Sequence, residues 1–150
     1  MDKLDPLNAP LAPETAYKHH FDLLDRYQAF SGEVLRLSLA SIAGFGFFLS
    51  IEKGVGSTIA DHMRSSPWPH GFIIAGLGAL VLAAATALTH RYVSSDAMYY
   101  VLVGVMREQT ASEKRSQHLM LKASEYAILV APAALGLGVI GLAAAFVFAW

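Results

Sequence analysis

The chain has no cysteine, which excludes disulfides, thiolate nucleophiles, Cys-ligated zinc and iron–sulfur clusters. It is also poor in charge. Only 15% of its residues are Asp, Glu, Lys or Arg, against about 25% in an ordinary soluble domain, so a conventional water-facing catalytic domain is not expected. A formal net charge of −1 lacks the basic footprint that nucleic-acid binding requires, and no nucleic-acid partner is expected. No serine or threonine sits in a nucleophile motif, and no glycine pattern follows a strand and opens a helix as a nucleotide site needs.

What is present instead is apolar sequence, 55% of the chain, and it is concentrated. Val34 to Ile51, Gly71 to Thr89 and Ile128 to Trp150 carry almost no charge. As helices they extend roughly 27, 28 and 34 Å, against a hydrocarbon core of about 30 Å. The expected fold is all-α, a polytopic membrane protein with three transmembrane helices (34–51, 71–89 and 128–150), an amphipathic N-terminal helix and a long helical cytoplasmic connector. One membrane domain over 1–150 accounts for the whole length.

Residues 1–13, with Pro6, Pro10 and Pro13, show no hydrophobic period and are expected to be flexible. Helix is expected over 14–32, where Tyr17, Phe21, Leu24, Tyr27 and Phe30 recur at helical spacing between Lys18, Asp22, Asp25 and Arg26. A turn is expected near Ser31-Gly32. Met1 to Gly32 has no apolar h-region and carries several acids, so it does not read as a signal or transit peptide and is expected to persist.

The segment 91–127 reads as a cytoplasmic helical connector with two internal signals. Ser94-Ser95-Asp96 can cap a helix, and Thr110 with Glu113 matches a capping box, which places a break near Gln109. Between them, Ala97 to Met106 is apolar but too short to span. The basic residues Arg91, Arg107, Lys114, Arg115 and Lys122 of this segment outnumber Lys53 and Arg64 of the loop after the first span. By the positive-inside rule the N-terminus is cytoplasmic and the C-terminus is outside, with a bacterial inner membrane and periplasmic C-terminus as the simplest location. Gly54, Gly56 and Pro67-Trp68-Pro69 mark irregular outer structure, with Trp68 and Trp150 as interfacial anchors.

Two constellations stand out. The first is a polar set at the cytoplasmic ends of the spans: Glu33, Arg36, His90, Arg91, Asp96, Lys122 and Glu125. Such groups can pair across helices or relay protons, although boundary salt bridges and snorkelling are the commoner use of residues there. No Glu-x-x-His occurs among them, and no catalytic, cofactor or metal residue is assigned. The second is a set of small residues: Gly71, Ala75, Ala79, Ala83 and Ala87 in the second span, and Ala131, Ala134, Gly138, Gly141 and Ala145 in the third. Small side chains let helix backbones approach closely where lipid supplies no hydrophobic drive, so these ten positions are the expected helix-packing interface. Pro132 should loosen the third span near its start.

No Asp, Glu, Lys, Arg or His lies near the middle of any span, which argues against a pump, a proton-coupled transporter, or a haem or quinone subunit. The expectation is a non-enzymatic accessory, anchor or scaffold subunit whose partners are membrane lipid and either further copies of itself or subunits of a membrane complex. Two alternatives are a homo-oligomeric pore-forming or membrane-perturbing effector, lined by Ser38, Ser41, Ser50, Thr86 and glycines of several assembled copies, and a membrane enzyme using the boundary Glu/His cluster.

Overall fold

The computed structural model describes residues 18–52, 67–106 and 109–149. The expectations for 1–17, for the outer loop and for Trp150 lie outside the described residues. Within them the protein is all-helical, with three helices in sequence: α1 (Lys18–Glu52), α2 (Pro67–Met106) and α3 (Ala111–Ala149). Neighbours in sequence run antiparallel. α2 and α3 form a closely packed hairpin, while α1 lies chiefly along α2 and touches α3 at few points.

Each helix is longer than the apolar run inside it. At 1.5 Å per residue the three measure about 52, 60 and 58 Å, so a bilayer-length apolar segment is continuous with a more polar extension. α2 and α3 are long and apolar enough to cross a membrane. α1 carries no turn at Ser31-Gly32, and α2 passes through Ser94-Ser95-Asp96 without a break. The reason is visible in the serines. Ser31 donates to the Gln28 carbonyl (3.0 Å), Ser94 to Arg91 (3.1 Å) and Ser95 to Arg91 (2.9 Å). A hydroxyl satisfied by the preceding turn of its own helix has no need of a cap position.

Pro67-Trp68-Pro69, expected as irregular outer structure, instead opens α2. The first turn of a helix has no intrahelical use for its N–H groups, so proline is accepted there. The other capping signal acts as one. The Thr110 carbonyl takes the first helical bond from the Lys114 N–H (3.1 Å). Glu113 Oε2 accepts from the Thr110 N–H (2.8 Å) and hydroxyl (2.9 Å), and the Glu113 N–H reaches back to Thr110 Oγ1 (3.4 Å). Just before it, the Gln109 amide donates to the Tyr100 carbonyl. It passes over Gly104, where a Cβ would lie 2.8 Å from Gln109 Nε2. Pro132 is accommodated inside α3.

The core is a seam of residues three, four or seven apart on each helix. On α2 the buried positions are Pro69, Gly76, Leu80, Ala83, Ala87, His90, Ser94 and Ala97; on α3 they are Ser124, Ala127, Ala131, Ala134, Gly138, Leu142 and Ala145; on α1 they are Ser31, Val34, Ser38 and Phe45. This is the 3.5-residue spacing of a coiled-coil seam, and it passes from the apolar part of each helix into the polar part without interruption. Near the far end, Phe146 meets Phe45 and Phe48 edge-on, at 6.1 and 5.0 Å. α1 and α3 therefore touch at this end, whereas at the Thr110 end a gap opens between them.

Candidate functional site

A close backbone approach within the hairpin is built from three glycines. A Cβ on Gly141 would lie 3.0 Å from the Gly76 Cα, and one on Gly76 would lie 3.0 Å from both the Gly138 carbonyl oxygen and the Leu142 nitrogen. Here backbone meets backbone, the close approach that small residues permit.

Of the ten small residues singled out above, Ala83, Ala87, Ala131, Ala134, Gly138 and Ala145 are buried, Ala79 and Gly141 are half-buried, and Gly71 and Ala75 are exposed. The division follows from geometry. A strict four-residue repeat drifts around a helix of 3.6 residues per turn, so Gly71 and Ala75 have rotated off the face that Ala83 and Ala87 share. Gly76 and Leu80 take their place. The α3 series, which alternates three and four, stays on one face.

The boundary polar residues lie within a few turns of one another but are not brought into one cluster. Glu33 and Arg36 pair within α1, Arg36 Nη1 donating at 3.0 Å, and both are largely exposed, so the pair adds little stability. Arg91, Lys122 and Glu125 are exposed and Asp96 is half-buried. The Arg91 Nη1 lies 3.8 Å from where a Gly32 Cβ would stand. No ion pair joins Arg91, Asp96, Lys122 or Glu125 to another described residue, and no group of three His, Asp or Glu side chains among the described residues is placed to hold a metal.

His90 departs from this pattern. It is 1% exposed, and its Nδ1 has no hydrogen-bond partner among the described residues. It lines a half-enclosed cavity of about 740 Å³ in the gap between α1 and α3. Leu24 and Tyr27 of α1 and Leu121, Glu125 and Ile128 of α3 contribute walls. Beside it, the Gln28 amide of α1 bridges to the hydroxyls of Ser94 and Ser95 on α2, both at 3.2 Å, and ties α1 to the hairpin. Sequence reasoning placed His90 and Glu125 at a common depth but had no signal for the cavity. It depends on the divergence of α1 from α3, which no local pattern encodes.

The fold and site thus define an all-helical protein, an antiparallel hairpin of two apolar helices of membrane-spanning length with a third helix laid along it, consistent with residence in a membrane. Comparison with known proteins finds no matching family, no similar curated protein and no similar solved structure.

Proposed function

We propose that the protein is a non-enzymatic membrane anchor or scaffold subunit, with three crossings and a helical stalk on the cytoplasmic side that engages other subunits. Exposed aromatic side chains support the placement. On α2, Trp68 and Tyr92 are both largely exposed and about 36 Å apart along the helix, and Tyr126 of α3 is largely exposed as well. This length matches a hydrocarbon core with its flanking interfaces, where Trp and Tyr concentrate. The register set by Gly76 against Gly138 and Gly141 brings Tyr92 and Tyr126 near one level, and the Gln28 bridge to Ser94 and Ser95 brings Phe30 to it. In this arrangement α1 crosses as well, through 34–51, with its N-terminal half amphipathic and packed on the hairpin.

One observation carries the functional reading. Beyond Tyr92 the hairpin continues for about 21 Å to Met106, and there it exposes Tyr99 and Leu119, with Leu23 on the adjoining part of α1. In water, large apolar side chains left exposed along such a stalk are surface that another subunit can cover. A photo-crosslinking amino acid at Tyr99 or Leu119, followed by extraction from native bacterial inner membranes in mild detergent, tests it. A stoichiometric neighbour supports the reading, and a bare monomer without crosslinks refutes it. A reporter fused after Trp150 tests the orientation, N-terminus cytoplasmic and C-terminus periplasmic; cytoplasmic readout overturns it.

A second reading, a homo-oligomeric pore or membrane-perturbing effector, is favoured by the outward small residues. Ala40, Gly44, Gly71 and Ala75 are exposed, and a Cβ on Gly44, Gly46, Gly78 or Gly136 would meet nothing within 4 Å, so other copies have smooth faces to pack on. The hydroxyls of Ser38, Ser41, Ser50 and Thr86 each bond to a carbonyl of their own helix, which leaves little to line a pore. Conductance in liposomes that changes on Ser41 substitution distinguishes this reading from the first.

A further inference from the structure

We propose that the groove between α1 and α3 is the docking surface for a segment of this same chain, residues 4–10, which precede α1 and lie outside the described residues. The groove is half open, has a volume of about 740 Å³ and is walled by Leu23, Leu24 and Tyr27 of α1 and by Leu121 and Ile128 of α3. Leu23, Tyr27 and Leu121 are exposed, and in the proposed placement all three stand on the water-facing stalk, where apolar surface gains from being covered. The α3 wall runs from Gln117 to Leu129, about 18 Å. In a polyproline II helix, the conformation that Pro6 and Pro10 favour, steps of about 3.1 Å carry the chain from Leu4 to Pro10 over roughly 19 Å.

Pattern, length and charge together select this occupant. Polyproline II has three residues per turn, so Leu4, Leu7 and Pro10 form one edge of the segment, Pro6 and Ala9 a second, and Asp5 and Asn8 a third. Two edges are apolar and one is polar, which matches a groove with two apolar walls and one open side. Proline-rich segments dock in this way against aromatic-lined grooves. Length fixes the direction. The Gln28 bridge to Ser94 and the glycine register put Tyr27 and Leu121 at about one level. From that level, away from the bilayer, Lys18 stands about 14 Å along α1 and Gln117 about 6 Å along α3, so residues 11–17 make a short return if Pro10 lies at the Gln117 end. The reverse direction would stretch them over about 26 Å, close to their full extended length. In the direction that closes, Lys3 arrives at the Leu129 end near Glu125, the carboxylate of the groove wall, which has no ion-pair partner among the described residues. So short a tether raises the effective concentration of the segment to about the millimolar range, and a weak apolar contact is then populated in the intact chain.

The test uses the full chain, free of native cysteine, in maltoside micelles. On mild oxidation, Leu7→Cys paired with Leu121→Cys should form a disulfide within one chain, at a rate independent of protein concentration. Leu7→Cys paired with Tyr99→Cys, exposed but outside the groove, should not. In a second arm, a maleimide should modify Leu121→Cys about tenfold more slowly in the otherwise unaltered chain than in one that also carries Leu4→Asp and Leu7→Asp, the protection given by roughly nine-tenths occupancy. A synthetic peptide of residues 1–13 at millimolar concentration should restore that protection. The Asp substitutions lie outside the described helices, so helicity by circular dichroism should be unchanged. Equal maleimide rates, equal disulfide formation with Tyr99→Cys, or disulfides that join two chains overturn the proposal, the last assigning the groove to a second copy. So does a photoreactive residue at position 121 that crosslinks in native membranes to another protein and not to residues 1–17. The micelle readouts report contacts within one chain, so their failure is separable from failure of the anchor reading.

Discussion

Leu80 of α2 lies directly over Gly138 of α3, so close that a Cβ on the glycine would come within 2.7 Å of both Cγ and Cδ2 of the leucine. The Gly76 carbonyl oxygen, at 3.0 Å from the same point, blocks retreat on the other side. The large residue on one helix thus fills the space that the missing side chain leaves on the other.

Gly138→Ala should therefore destabilise the hairpin by about 1–3 kcal/mol, the usual cost of overpacking. Gly136→Ala, whose new methyl would meet nothing within 4 Å, should be neutral or gain up to about 1 kcal/mol from improved helix propensity. Thermal unfolding of the two variants in the same detergent checks the contrast. Equal behaviour would mean that the glycine crossing is not tight.

Thr110→Ala removes the hydroxyl that gives to Glu113 Oε2 and takes from the Glu113 N–H. A loss of about 0.5–2 kcal/mol is expected, as for other N-cap deletions. Because the turn is at the tip, the loss should be local: faster amide exchange over 111–116, with the Gly76 region unchanged.

Gln28→Leu deletes the bridge to Ser94 and Ser95 and leaves both hydroxyls bonded to the Arg91 carbonyl. Since the serines keep a partner, the expected cost is modest, about 1 kcal/mol. It should appear as faster hydrogen exchange in the first half of α1 alone. Acceleration throughout α3 would show that the helices are coupled more tightly than their packing implies.

The absence of cysteine makes single-cysteine scanning direct. Cysteines replacing Tyr99 and Leu119 should react with a membrane-impermeant maleimide in inverted vesicles. Cysteines replacing Ile74 and Leu137, exposed on the protein but facing acyl chains in the proposed placement, should not react from either side. Fast labelling at Ile74 or Leu137 would remove these helices from the bilayer.

Much of the architecture was legible in composition and spacing. The apolar runs of α2 and α3 announce themselves by the absence of charge, and Thr110 with Glu113 marks a helix start because its chemistry is complete within four residues. Ser94 misled for the opposite reason. A serine's value as a cap is local, but its small size is equally useful at a helix contact, and Ser94 is fully buried on the seam where Gln28 reaches it. Gly71 and Ala75 look like packing residues on a four-residue count; only the 3.5-residue spacing of Leu80, Ala83, Ala87 and His90 selects the face that meets α3. His90 itself was visible as an ionisable group beside an apolar run, but its missing partner and the cavity beside it arise from the angle between helices.

The seam running from Gly76 to Ala97 without a change of spacing has a mechanical meaning. On α2 no change of spacing offers a hinge, so bending under a load applied at the Thr110 turn is left to α3, where Pro132 removes one helical hydrogen bond. What α3 does not take up there reaches the glycine crossing as leverage about a fulcrum at Leu80 and Gly138.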